Sequence, residues 1–202
     1  MMAATEHTRS ALSRYDCAWI NRVPKFESKV VGDLVDHWRG LFEAGGGQIP
    51  YRRDIDPMII GTTLSRVYIY EKDDEGFICR LAGEQISWNF DTRLKDQRLS
   101  DILEPPIHEM VDLFMSVCLQ EPAIYRNHGL LYSDKRKRKV TGEHVFLPLR
   151  GEAGELTYII GLTDVTSLGD APMVPTRAFH PCAAMSSSTN RTTGSMSSGA
   201  PI

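Results

Sequence analysis

Cysteine is scarce in this 202-residue chain and widely spaced: Cys17, Cys79, Cys118 and Cys182 form no Cys-x-x-Cys pair. That spacing argues against a structural zinc framework and against a disulfide-dense secreted scaffold. An excess of one charge is also missing. With 23 Lys and Arg against 26 Asp and Glu, the net charge of -3 gives no global attraction to nucleic acid or to an anionic membrane. No apolar run approaches the ~20 residues that cross a bilayer. The opening MMAATEHTRS lacks the basic-then-apolar build of a signal peptide. The expectation is therefore a cytoplasmic protein with neither nucleic acid nor membrane as partner.

What is present is the composition of one globular domain, 42% hydrophobic and 24% charged. Residues 1–25 are polar and irregular apart from Trp19-Ile20 and read as a flexible arm. From about residue 168 the character changes: Pro172, Pro175 and Pro181 are followed by SSSTNRTTGSMSSGAPI. Such a Ser/Thr-rich segment has too little apolar surface to offset its ordering entropy, so 168–202 is expected to be disordered. Residues 26–167 remain as the folded unit, an ordinary domain size.

Within that unit the hydrophobic period changes in a definite order. Val30, Val31, Leu34, Val35, Trp38, Leu41 and Phe42 recur at helical spacing until Gly45-Gly46-Gly47 stops the helix. Arg66–Tyr70 and Phe77–Ala82 are β-branched and aromatic runs around the turn Asp73-Asp74-Glu75-Gly76, a hairpin. Short helical pieces fill 84–103, and Pro105-Pro106 open a longer helix with Ile107, Met110, Val111, Phe114, Val117 and Cys118 on one face. Three strands follow, Ala123–Ser133, Val140–Leu149 and Leu156–Thr163. A hairpin followed by a meander predicts an antiparallel sheet, hence an α+β fold. The first helix must bury its stripe on the free sheet face or against a second copy.

Specific residues then match a family. The helix with its central Trp38, the Ile49-Pro50, Arg52 and Asp54-Ile55-Asp56-Pro57 signature, Arg80-Leu81-Ala82-Gly83, Phe146-Leu147-Pro148-Leu149 and Gly161-Leu162-Thr163-Asp164-Val165-Thr166 occur in order. Together they resemble the bacterial PAS domains of the PAS_5 subfamily. The resemblance implies a five-stranded antiparallel sheet with helices on one face enclosing a ligand cavity, plus the N-terminal amphipathic helix. It does not name a ligand, because PAS domains share a fold more than a function. The flavin-photoreceptor motif with its reactive cysteine has no counterpart: Trp88-Asn89-Phe90 stands in that region without a thiol. The cofactor is left unknown.

Candidate site residues come from cations and rings in apolar surroundings. Arg80 and Arg126 lie in otherwise apolar strands, where a guanidinium wants a carboxylate or phosphate, from a ligand or from a neighbouring Asp or Glu. Trp88 and Asn89 fall in the helical middle that closes the cavity by resemblance. His108 and His128 are the histidines weighed as haem ligands; His37 and His144 have less to recommend them. The run Lys135-Arg136-Lys137-Arg138-Lys139 reads as a solvated hairpin tip, with a phosphate or acidic-partner patch as its rival. Cys79 and Cys118 read as small buried hydrophobes.

The expectation is a stand-alone sensory or regulatory domain, without a catalytic motif, that binds a small metabolite or a protein and signals through altered interactions. Its rivals are a small α+β hydrolase or isomerase using the same cavity, and a ligand-free structural adaptor. The ligand pocket is expected at Arg80, Trp88, Asn89, Arg126 and His128. A homodimer is expected through the first helix at Val31, Val35, Trp38 and Phe42.

Overall fold

A computed structural model describes residues 16–19, 25–133 and 139–169. The elements are β1 (Asp16–Trp19), α1 (Lys29–Ala44), two 3-10 turns (Arg52–Asp54 and Gly61–Arg66), β2 (Val67–Asp73), β3 (Gly76–Ala82), α2 (Glu84–Asn89), α3 (Leu99–Ile102), α4 (Pro105–Gln120), β4 (Ala123–Ser133), β5 (Lys139–Arg150) and β6 (Leu156–Gly169). The strands form one sheet in the order β1-β4-β5-β6-β2-β3, and every neighbouring pair is antiparallel.

Local chemistry sets the element ends. Ser28 caps α1, its Oγ accepting from the Val31 N–H at 3.3 Å. Gly46 and Gly47 follow with φ of 67° and 85°, a left-handed path that stops the helix. In β5, Pro148 offers no ladder donor, and it is tolerated because it lies past the last pair with β4, Tyr125↔Phe146; on that edge the strand is next bonded at Arg150, whose N–H donates to the Pro50 carbonyl at 2.8 Å. The outer edge of β3 is covered in turn: Cys79 exchanges backbone bonds with Asp96 and Gln97, at 2.7 and 2.9 Å, which blunts an exposed strand edge.

Helices cover both faces of the sheet. On one, α1 buries Val31, Leu34, Val35 and Trp38 against Ile124, Val145, Leu147, Leu149, Ile160 and Leu162. The Trp38 indole N–H donates to the Pro148 carbonyl at 2.9 Å, so its polar end is satisfied inside the core. On the other, α4 packs Phe114, Met115 and Cys118 against Tyr70, Phe77, Cys79, Tyr125 and Phe146. Cys79 and Cys118 are buried and in no disulfide, and burial pushes the Cys79 thiol up to about 11, which keeps it protonated.

The five long strands and the helix order are as expected from sequence, and two expectations are corrected. Val31, Val35 and Trp38 do not present a dimer face: each is 0% exposed within its own chain, and Phe42 stacks on Trp38 with ring centroids 5.5 Å apart. The apolar stripe of α1 finds its partner in the sheet and has no need of a second copy. The segment 1–25 is also not wholly an arm. Asp16–Trp19 pairs with Ala123–Arg126, supplying a partner to the outer edge of β4. β6 runs to Gly169, paired with Lys139, two residues past the boundary drawn at 167. Residues 134–138, which hold most of the basic run, and 170–202 lie outside the described residues.

Candidate functional site

Strand alternation decides which side chains face α2, α3 and α4. Two rows of cross-strand neighbours on that face matter most. One row is aromatic: Tyr125, Phe146, Gly161 and Tyr68 stand opposite one another across β4, β5, β6 and β2. A Cβ at Gly161 would overlap the Tyr68 ring, so only glycine lets that ring lie across β6. The Tyr125 ring stacks on Phe146 at 5.2 Å and on Phe114 of α4 at 4.6 Å. The next row is polar: Asn127, His144 and Thr163 are direct neighbours across β4, β5 and β6. The Thr163 and Tyr68 hydroxyls lie 3.3 Å apart.

Above these rows, and below α2, α3 and α4, is a cavity of about 70 Å³. Its walls include Ile86, Leu99, Leu103, Met110, Phe114 and Met115 as well as the two rows, and no Lys, Arg, Asp or Glu lines it. His144 is the chemically distinctive group. It is 9% exposed, its ring packs 4.9 Å from Phe146 and 5.5 Å from Tyr125, and its Nε2 is buried with no hydrogen-bond partner. Burial holds its pKa down at about 4, so the imidazole is neutral near pH 7. A buried polar atom left unpaired costs about 1–3 kcal/mol. Burial likewise raises the Tyr70 hydroxyl, with the neighbouring Cys79 adding to the shift.

The residues expected in the pocket are elsewhere, and period-two geometry is the reason. Arg126 and His128 alternate with Tyr125 and Asn127, so they stand on the α1 face. Arg126 forms a buried ion pair with Glu143, and His128 Nε2 lies 3.2 Å from Glu27 Oε2. Arg80 bonds Glu71 at 2.5 Å, with Asp96 at 3.8 Å. It thereby satisfies its charge internally. Trp88 is 76% exposed on α2. Asn89 is outside the cavity lining, with its Nδ2 buried and unpaired. Neither His108 nor His128 lines the cavity, whereas His144 does.

The α1 face carries a second polar cluster directly behind the first. Glu143 is 1% exposed. Besides Arg126, it accepts the Glu27 N–H at 3.0 Å and the Ser28 N–H at 2.6 Å. Ser28 Oγ donates to Asp164 Oδ2 at 2.7 Å, and Asp164 Oδ1 is 3.4 Å from Arg66 Nε. Two adjacent residues of β5 thus face opposite ways: His144 lines the cavity, and Glu143 holds the first residues of the chain leading into α1.

Among the described residues no group of three or more His, Cys, Asp and Glu is placed to hold a metal ion, and no helix is long and apolar enough to cross a membrane. Residues 27–164 match the PAS domain family of the PAS_5 type. A solved structure described as an RNA-binding Light-Oxygen-Voltage receptor is similar at 10% identity and a TM-score of 0.38, over 74% of this chain and 37% of the receptor. The chain therefore spans little more than a third of that receptor's length. No curated protein matches the chain.

Proposed function

We propose that this chain, which belongs to the PAS domain family and is in general terms a sensory or regulatory domain, works by taking a small ligand into the cavity beneath α2, α3 and α4. Occupancy is passed through the sheet to the start of α1. The observation that carries the reading is the adjacency of His144 and Glu143 on β5, one in the cavity lining and the other bonded to the Glu27 and Ser28 amides. A ligand that moves His144 strains the backbone it shares with Glu143, and the bonds at the head of α1 respond. Close-packed interiors transmit small displacements instead of absorbing them. In this reading the signal leaves through altered contacts at the α1 junction and is received by a partner protein.

The enzymatic rival finds less support. That rival needs paired titratable groups in the cavity, with His128 and a carboxylate as the expected pair; His128 does lie 3.2 Å from Glu27, but neither residue lines the cavity. The test is native mass spectrometry of protein equilibrated with a metabolite extract, followed by hydrogen exchange. A retained small molecule should protect α4 and the cavity-facing strands and change exchange at the Glu27 and Ser28 amides. Retention of nothing, or protection confined to the cavity, contradicts the reading.

A further inference from the structure

The lining narrows what the cavity accepts, and this step rests on the cavity being the ligand site. With no Lys, Arg, Asp or Glu in the lining, an ionised ligand would be buried without a counter-charge, which is strongly unfavourable. The ligand is therefore neutral. Its volume is bounded too: about 70 Å³ is roughly half of the ~150 Å³ apolar cavity that accepts one benzene ring. A single ring enters only if flexible side chains yield, and Met110 and Met115 of α4 line the site, unbranched and adaptable as methionines are.

The polar requirement comes from His144, whose Nε2 is buried and without a partner. A neutral imidazole nitrogen is either a donor or an acceptor depending on tautomer. A ketone or ether serves only the donor form, whereas a hydroxyl serves both, since it donates and accepts. The neighbouring polar side chains, Asn127 and Thr163, lie in the same cross-strand row and extend the surface on which a hydroxyl can settle. The stacked rings of Phe114, Tyr125 and Phe146 supply a flat apolar wall beside it. We infer that the cavity is a site for a small neutral alcohol or phenol, with its hydroxyl on His144 Nε2 and its hydrocarbon part against the aromatic wall.

Phenol, toluene and benzoate, titrated separately into the ¹⁵N-labelled full chain and followed by NMR, test this. Phenol should bind at least about tenfold more tightly than toluene, the scale of one net hydrogen bond, and should move the His144 Nε2 signal. Benzoate should leave the cavity resonances unmoved. In His144→Phe the margin between phenol and toluene should fall to about twofold or less, the lost hydrogen bond being its source. Equal binding of phenol and toluene, or preferential binding of benzoate, overturns the hydroxyl assignment while leaving the cavity as the ligand site. Failure of all three to bind overturns the assignment and the cavity reading together. If His144→Phe does not fold, the wild-type imidazole decides: bound phenol that leaves Nε2 unmoved refutes the proposal.

Discussion

The two faces of the sheet are built to different standards. Under α1 the packing is closed: Val31, Leu34, Val35 and Trp38 are fully buried, the Trp38 N–H has its carbonyl, and Glu143 is surrounded by donors. Under α2, α3 and α4 there is a void and a buried histidine nitrogen with nothing to bond. Natural folds satisfy buried polar groups almost everywhere; the exceptions among the described residues are Asn89 Nδ2, His144 Nε2, Arg150 Nε and Thr157 Oγ1, and of these residues only His144 lines the cavity, which is where function is expected. One face is closed by its own side chains, and the other is the face proposed to receive a ligand.

The largest expected effect is on the closed face. Trp38→Ala should lower the unfolding free energy by about 3–5 kcal/mol, read by chemical denaturation. A loss under about 1 kcal/mol would mean that α1 is not docked as described. Next comes Glu143→Ala, which removes the carboxylate paired with the buried Arg126 and the acceptor for two amides. The loss should be about 3 kcal/mol, with exchange at Glu27 and Ser28 rising towards that of an open loop.

The open face makes a pH-dependent prediction. The native His144 pKa is about 4 against the ordinary 6.5, so between these values the unfolded chain binds a proton that the native protein does not. Stability contributed by the neutral ring is therefore full above pH 6.5 and declines as pH falls towards 4, by up to about 3 kcal/mol. His144→Phe should abolish this decline. At neutral pH the same variant should be unchanged or more stable by about 1 kcal/mol, the smallest effect of the set, because it removes an unsatisfied polar group without opening a void. Denaturant melts at pH 7 and pH 5 separate the two contributions. A variant that loses several kcal/mol at pH 7 would show that His144 is part of the closed structure after all.

The sequence made the fold far more legible than the site. Apolar spacing located α1, α4 and the five long strands, because those patterns reflect burial of whole faces. The site depended on which face of each strand meets which helices. Arg126 and His128 alternate with Tyr125 and Asn127 on β4, and period two says only that the pairs part company. The companion strand held the missing signal: Val145, Leu147 and Leu149 form an aliphatic face suited to the Val- and Leu-rich stripe of α1, which leaves His144 and Phe146 for the cavity. Of the two partners open to Arg80, a ligand or a neighbouring carboxylate, the structure shows the carboxylate, and the sequence did not say which one. The partner, Glu71, comes from β2, whose pairing with β3 shifts register between Ile69 and Tyr70, an irregularity that periodicity does not reveal. The dimer face failed because an amphipathic helix carries the same stripe whether the sheet or a second copy covers it.

The central claim is that the open face is read out through the closed one, and xenon tests it without presupposing any hydroxyl chemistry, since it fills apolar cavities of suitable size. NMR spectra under xenon pressure should show shifts in the methyl groups of Met110, Met115 and Ile86, which line the cavity. The amide signals of Glu27 and Ser28, on the far side of the sheet and bonded to Glu143, should shift along the same pressure curve. Cavity methyls that respond while those two amides stay fixed would contradict it.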